Sequence, residues 1–248
     1  MNRHAAYVRE IPASRCAVLF VHGILGTPRF FDFLLPDIPP DWTVHNVLLS
    51  GHGGDVRDFS HASMAAWRRQ VASELSALSA AHERVIVCGH SMGTLLAIDA
   101  ACAHPEQVQG LLLLAVPLRL SLNARSCLRS TALALGMRSA GREEAQALIR
   151  AYGVSADRRV WRYAGWVPRY LELFGEIAAV RRMLPDLKTP GVALQSARDE
   201  MVSRRALGCL ASCPALQTVL LPDSGHYAYA PADEKRIHQA LMALVAQA

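Results

Sequence analysis

The 248-residue sequence lacks features that are typical of membrane, secreted and nucleic-acid-binding proteins. It has no uninterrupted run of the ~18–20 apolar residues that span a bilayer, so we expect no stable membrane insertion. The formal charge is +5, but the basic residues form no Lys/Arg run, which argues against nucleic acid as a partner. The apolar stretch 16–21 runs into His22-Gly23 without a small-residue cleavage site, so we expect a strand there and not a signal peptide.

The six cysteines lack the paired C-x-x-C spacing of a zinc site. Cys209 and Cys213 are four residues apart on a predicted helix, which by itself is not a metal site. Reduced, mostly buried thiols fit a cytoplasmic protein best, so we expect cytoplasmic localisation and no bound metal. The chain also has no internal repeat, low-complexity tract or long linker.

The sequence does contain apolar runs that alternate with amphipathic stretches. Hydrophobic residues make up 52% of the chain, enough for a sizeable core. An amphipathic helix is predicted from about Met64 to Leu78, another over 203–212, and a terminal one from Pro231. Strands are predicted at 16–22, 42–49, 85–88, 111–116, 192–196 and 216–221, with a weak edge strand within 5–11. This alternation predicts an α/β fold with a mostly parallel central sheet flanked by helices.

The alternation stops between residues 119 and 185, which contain no strand-like run. We predict a helical cap inserted there, with the core formed by residues 1–118 and 186–248. Residues 119–182 hold twelve arginines, no lysine and five acidic residues, a balance of +7. One interpretation is a solvated helical face. The other is a surface that attracts an anionic substrate or a membrane.

The segment Gly89-His90-Ser91-Met92-Gly93 lies between a predicted strand and a predicted helix. In that context G-x-S-x-G forms a nucleophile elbow, a turn so tight that the residues two before and two after the serine must be small. The N-terminus of the following helix directs positive charge at the serine. We therefore predict Ser91 as a nucleophile.

A serine hydroxyl needs a base, which is normally a histidine. Three histidines follow Ser91 in the chain. His104 ends the elbow helix and His238 lies inside the terminal helix, whereas His226 directly follows the last predicted strand. A loop at that place can bring a histidine over the serine, so we predict His226 as the base.

The histidine needs a carboxylate to orient it, and in this chain order the carboxylate comes between the serine and the histidine. Asp199 follows the penultimate predicted strand and is our first choice. Glu200 is its neighbour and the fallback. Asp223 is only three residues before His226, which makes an approach to the far ring nitrogen difficult.

An oxyanion hole is also needed, and one donor in this geometry is the backbone N–H after the nucleophile, that of Met92. The second comes from the loop after the first buried strand. We assign it to Ile24, with Leu25 less favoured. We expect His22 mainly to brace this loop by hydrogen bonds, and His52 to act in a similar way.

These motifs together resemble the α/β-hydrolase family, and specifically its branch of bacterial carboxylesterases and monoacylglycerol lipases. The resemblance implies an α/β-hydrolase fold and cleavage of small-molecule carboxylic esters through an acyl-serine intermediate, with no metal or cofactor. The family often has Gly or Ala directly after the elbow, where this chain has Thr94, and we expect its bulk or hydroxyl to alter the packing behind Ser91. The matching motifs are 22–26, 51–53, 89–93, Asp199 with Val202, and 224–226.

The substrate is less well defined by the sequence. We predict esters of short or medium acyl chains, with monoacylglycerols among them, and predict substrate contacts from Leu25, Phe30 and Trp166. Aromatic residues of the cap either pack it onto the core or line an acyl pocket. A thioesterase, an acyltransferase or a C–C bond hydrolase would use the same triad. The intact Ser, Asp and His argue against a non-catalytic binding protein.

Overall fold

The computed structural model describes residues 4–121, 152–155, 157 and 159–247. Within them, seven strands form one sheet, and only the short edge strand β1 runs antiparallel to its neighbour. The spatial order is β1-β3-β2-β4-β5-β6-β7. The strands are β1 (Tyr7–Arg9), β2 (Cys16–Val21), β3 (Thr43–Val47), β4 (Arg84–His90), β5 (Gly110–Leu114), β6 (Gly191–Ser196) and β7 (Leu216–Leu221). The predicted α/β fold with a mostly parallel sheet is confirmed.

Helices follow most of the strands. They are α1 (Val56–His61), α2 (Met64–Ala81), α3 (Met92–Ala103), α4 (Trp166–Met183), α5 (Ala206–Leu210) and α6 (Pro231–Gln247). Short 3-10 helices lie at Pro28–Phe31, Leu35–Asp37, Val160–Gly165 and Leu184–Asp186. All predicted strands are present, although β3 ends at Val47 and β5 at Leu114, two residues before the predicted ends.

Three segments differ in helix content from the sequence predictions. Thr27 followed by Pro28 is a signal for a helix start, but the structure has only a 3-10 turn there, Pro28–Phe31, without a side-chain cap. The helix predicted over 203–212 begins only at Ala206 and ends at Leu210. Helix α1 was not predicted at all. Its signal is a capping box, in which Asp55 and Asp58 each accept from the other's backbone N–H.

The sheet is covered on both faces, as the near-continuous apolar strands require. On one face Leu19 and Val21 of β2 pack with α2 and α3, whereas Phe20 faces the opposite side with α6 and the Pro28–Phe31 turn. The predicted apolar stripe of α2 is buried in full: Met64, Trp67, Val71, Leu75 and Leu78. Fully burying one such side chain stabilises the fold by about 1.5–3 kcal/mol. Because β2 to β7 are parallel, their carboxyl ends lie at one edge of the sheet.

The predicted cap falls partly outside the described residues, so its extent stays a prediction. In the part that is described, α4 is fastened to the core by an ion-pair network. Arg68 of α2 lies 3.3 Å from the carboxylate of Asp99 on α3 and 2.9 Å from that of Glu176 on α4. Over the same residues, we find no helix with the length and apolar character needed to cross a bilayer.

Candidate active site

The turn from β4 into α3 forces Ser91 into a backbone conformation with φ 51° and ψ −123°. Such a positive φ costs a non-glycine residue energy and persists only where the surroundings impose it. A Cβ on Gly89 would lie 2.8 Å from Gly93 O, and one on Gly93 would lie 2.0 Å from Val21 O. Both positions therefore require glycine. The Ser91 N–H donates to Leu114 O at 2.9 Å, which ties the elbow to β5.

Thr94, the departure from the family pattern, is fully buried and supports this turn. Its Oγ1–H donates to Ser91 O at 2.6 Å, and its N–H donates to the same oxygen at 2.9 Å. The Thr94 hydroxyl therefore adds a second hydrogen bond behind Ser91, which alanine or glycine would not make.

His226 and Asp199 come together at the same edge of the sheet. The His226 Nδ1–H donates to Asp199 Oδ2 at 2.8 Å, and both side chains are wholly buried. The other carboxylate oxygen, Asp199 Oδ1, accepts from the N–H groups of Met201 at 2.8 Å and Val202 at 2.7 Å. The carboxylate is thus held by its own loop while it holds the imidazole ring.

This arrangement leaves one ring nitrogen available. Among the described residues, His226 Nε2 is buried without a hydrogen-bond partner. Burial by itself lowers the pKa of His226, but the charge and hydrogen bond of Asp199, together with the charge of Glu200, raise it above its ordinary value. A histidine in this state is a stronger base than one that is merely buried.

The two alternative carboxylates do not reach the imidazole ring. Asp223 lies at the surface and pairs with Arg198, the two side chains being 2.6 Å apart. Glu200 accepts from the backbone N–H of His226 at 3.2 Å. The order of preference among the three carboxylates therefore agrees with their contacts, while the catalytic role of Asp199 stays a prediction.

The loop after β2 lies against the elbow, since a Cβ on Gly23 would be 2.9 Å from Ser91 Cβ. Leu25, at φ 57°, donates its N–H to His52 Nε2 at 3.1 Å. No described group accepts from the N–H of Ile24 or of Met92. The N–H of Leu25 is thus occupied and that of Ile24 is free, which favours Ile24 as the second oxyanion donor.

His22 and His52 brace this loop, as predicted. The Nε2 atom of His22 accepts from Leu49 N–H at 3.0 Å while its Nδ1–H donates to Gly23 O at 2.9 Å. His52 accepts from Leu25 through Nε2, and its Nδ1–H faces the carbonyl oxygens of Leu49 and Ser50. Burial lowers the pKa of His22 to about 4 and, together with the charge of His22, that of His52 well below its ordinary value. Both rings stay neutral, as acceptors of backbone N–H groups must.

The two aromatic side chains predicted as substrate contacts, Phe30 and Trp166, pack against residues of the core. The Phe30 ring stacks on His90 with the ring centroids 3.7 Å apart. Trp166 donates its indole N–H to Val56 O at 3.0 Å and packs edge-on against Phe59. The described contacts of neither ring include Ser91 or His226, so their role toward substrate stays a prediction.

Four of the six described arginines in residues 119–182 have partners within the protein, whereas Arg119 and Arg182 are exposed. Arg159 and Arg162 both hold Asp157, and Arg169 pairs with Glu172 at 2.7 Å. Arg181 donates to the carbonyl oxygen of Leu118. They therefore connect parts of the segment to each other and to the core. The arginines at 125, 129, 138, 142, 150 and 158 lie outside the described residues.

Sequence reasoning missed the role of His90 inside the elbow. Its Nε2–H donates to the carbonyl oxygen of His226 at 3.1 Å. The only signal was its position directly before the predicted nucleophile. No group of three or more His, Cys, Asp or Glu side chains in the described part of the chain is arranged to hold a metal ion.

Comparison with known proteins agrees with this geometry. The model of a family described as "Alpha/beta hydrolase family" matches residues 18–239, most of the chain. The chain belongs to the alpha/beta hydrolase family. The family assignment and the fold predicted from the motifs are both confirmed.

A curated relative is similar to less than half of this chain. A pimeloyl-[acyl-carrier protein] methyl ester esterase of Neisseria meningitidis serogroup B is 32% identical over 115 residues, which cover 46% of this chain and 41% of that protein. The chain thus matches less than half the length of this curated relative.

Solved structures match over nearly the full length of this hydrolase. One comes from a study of the metagenome-derived lipolytic enzymes LipS and LipT, with a TM-score of 0.74, 21% identity and 98% of both chains covered. Another is the monoacylglycerol lipase of Paleococcus ferrophilus, with a TM-score of 0.63, 16% identity, and 98% of this chain and 99% of that chain covered. At these identities the similarity shows the fold.

Proposed function

We propose that this protein hydrolyses carboxylic esters through an acyl-serine intermediate. His226 Nε2 takes the proton of Ser91 Oγ as that oxygen attacks the ester carbonyl, and the N–H groups of Ile24 and Met92 hold the oxyanion. Collapse of the tetrahedral intermediate expels the alcohol, which takes the proton from His226. Water, deprotonated by the same nitrogen, then attacks the acyl-serine and releases the acid and free Ser91.

One observation carries the proposal: no group in the described part of the chain bonds the buried His226 Nε2, while Nδ1 is held by Asp199. A buried polar atom without a partner costs the fold free energy, roughly 1–3 kcal/mol. Such a cost is typical of functional sites, where the missing partner is supplied by the reacting group. The strained Ser91 on the turn after β4 is the residue whose hydroxyl we propose as the partner of that nitrogen.

For the substrate we propose esters of short or medium acyl chains, with monoacylglycerols as one candidate. The lipolytic enzymes and the monoacylglycerol lipase with the same fold support this class. A second candidate is a methyl ester on an acyl group attached to an acyl carrier protein, as in the printed name of the Neisseria relative. The excess of arginine in residues 119–182 favours an anionic carrier.

Replacing the predicted nucleophile tests the proposal. We expect Ser91→Ala to reduce ester turnover by at least about 10³-fold while the melting temperature stays close to that of the wild type. A fluorophosphonate probe, which loses fluoride as Ser91 Oγ attacks phosphorus, should label the wild type and not the variant. Ser76→Ala, at an exposed position of α2, is the matched control. Unchanged turnover in Ser91→Ala would exclude this mechanism.

A substrate panel distinguishes the candidates. It comprises p-nitrophenyl esters of increasing acyl length, a monoacylglycerol, matched oxygen esters and thioesters, and one methyl ester presented free and on an acyl carrier protein. A kcat/KM at least tenfold higher for the carrier-bound methyl ester would favour the second candidate. A maximum among free short or medium esters would favour the first.

A further inference from the structure

The main chain of His226 is held by side chains from two other segments, the end of β4 and the loop after β6. The Nε2–H of His90 donates to His226 O at 3.1 Å. The carboxylate of Glu200 accepts from His226 N–H at 3.2 Å. His90 directly precedes Ser91 and Glu200 directly follows Asp199. The sequence neighbours of the proposed nucleophile and acid, His90 and Glu200, therefore both bind the backbone of His226.

We propose that His90 and Glu200 are positioning residues that clamp the backbone of His226 and thereby aim its free ring nitrogen at Ser91. The inference rests on the proposed function, because it concerns how the base of that reaction is held. With both backbone groups and Nδ1 held, the position of Nε2 is fixed by two segments, the end of β4 and the loop after β6. Misplacement of a catalytic group by about 1 Å can cost up to about 10² in rate.

His90 is suited to this role by its environment. It is 2% exposed, and its ring is fixed between Phe30, stacked at 3.7 Å, and the ring of His226 at 4.8 Å. Burial, with the charge of His226 as a second cause, lowers the pKa of His90 well below its ordinary value. A neutral His90 adds no second positive charge when His226 accepts the proton of the serine.

Glu200 reaches the His226 amide because Gly225 leaves room for it. A Cβ on Gly225 would lie 3.2 Å from Glu200 Oε2, closer than any other non-neighbouring atom. Gly225 is not among the glycines with positive φ, so its turn does not itself require glycine. A side chain at this position would therefore be in tight contact with the carboxylate and would shift it by a few tenths of an ångström.

The first test perturbs the acceptor in two independent ways. We expect Glu200→Ala to lower kcat about tenfold with KM unchanged, and Glu200→Gln to recover most of it, because the amide oxygen still accepts from His226 N–H. Gly225→Ala should cause a smaller loss in the same direction, because the added methyl group shifts the carboxylate by only a few tenths of an ångström. The double variant should be no slower than Glu200→Ala alone, since both changes break one contact. Glu106→Ala, whose side chain is 67% exposed, is the matched control.

The second test removes the donor. His90→Phe keeps a ring against Phe30 but has no N–H, whereas His90→Gln retains a donor. We expect a larger loss of kcat in the first variant than in the second. The downfield NMR signal of the His226 Nδ1 proton should broaden by exchange with water in Glu200→Ala and His90→Phe, and stay sharp in Glu200→Gln.

The outcomes separate this inference from the proposed function. Unchanged kcat and an unchanged proton signal in Glu200→Ala and Gly225→Ala, with Ser91→Ala inactive, would overturn the clamp and leave the ester hydrolase intact. A lower melting temperature without loss of kcat would show that Glu200 is only structural, which also overturns it. Turnover by Ser91→Ala would remove the proposed function itself.

Discussion

Two buried histidines at the same edge of the sheet, His22 and His226, differ in the direction in which their pKa is shifted. His22 and His226 are both fully buried. Burial drives the pKa of His22 down to about 4, whereas the pKa of His226 is raised because Asp199 outweighs the same burial. Both ring nitrogens of His22 bond backbone groups, whereas no residue that the structure describes bonds Nε2 of His226.

The difference shows what turns a buried histidine into a base. Without a carboxylate, desolvation keeps the ring neutral and makes it a rigid acceptor for backbone N–H groups. With a carboxylate on Nδ1, the ring can take up a proton at Nε2 at little cost. His22 and His52 therefore support the loop that carries Ile24, the proposed oxyanion donor, whereas His226 has the features expected of the proposed base.

The largest expected effect comes from removing the carboxylate beside His226, so that its ring, like that of His22, has no acidic partner. Asp199→Asn should lower kcat about 10³–10⁴-fold, since the amide no longer holds the ring in the required tautomer. In the wild type, kcat/KM should rise with pH as His226 loses its proton, with a midpoint above the ordinary pKa of about 6.5. In the variant the midpoint should move down because burial prevails. A midpoint that stays in place would contradict the role of Asp199.

The second prediction concerns stability in acid. His22 has a pKa of about 4 in the folded chain and about 6.5 when unfolded, so the unfolded state binds more protons between these values. The stability that depends on neutral His22 is complete above about pH 6.5 and is lost as the pH falls toward 4, a change of about 3 kcal/mol. Urea unfolding at several pH values measures this change. His22→Gln should show a shallower decline, and parallel curves would disprove the assignment.

The third prediction tests the brace of the oxyanion loop. His52→Leu leaves the Leu25 N–H without its acceptor, so the loop that carries Ile24 should relax and kcat should fall about 10²-fold. His82→Leu is the matched control, because His82 is also 6% exposed but bonds Ser14 O at the far end of the sheet. Equal effects of the two substitutions on kcat would mean that His52 has no special role.

The smallest expected effect involves His45, whose pKa is raised, in contrast to the lowered pKa of His22. The two ring nitrogens of His45 donate to Glu74 and Glu10, each at 2.7 Å. The hydrogen bond with Glu74, opposed by burial and aided by Glu10, raises the pKa of His45. Its contribution is complete below about pH 6.5 and is lost as the pH rises through the raised pKa. His45→Gln should cost about 0.5–1 kcal/mol at pH 5.5 and less at pH 9. A larger cost at pH 9 would contradict this sign.

Much of the fold could be predicted because its signals are local. The apolar runs predicted every strand, and the stripe from Met64 to Leu78 predicted α2. Helix α1 was missed because it has only six residues and depends on the exchange of hydrogen bonds between Asp55 and Asp58. The substrate contacts were harder to predict, since Phe30 and Trp166 are aromatic whether they pack or bind. Their contacts with His90 and Val56 depend on residues far away in the chain.

The sequence by itself determined the elbow, the chain order of serine, acid and histidine, and the family, because these are written in short motifs and their spacing. Only the tertiary structure decided which carboxylate meets the ring of His226 and which N–H of the oxyanion loop remains free. Asp199 reaches Nδ1 while Glu200 reaches the backbone, and His52 occupies Leu25 but leaves Ile24. These choices depend on contacts of a few ångströms between distant segments, and no local pattern encodes them.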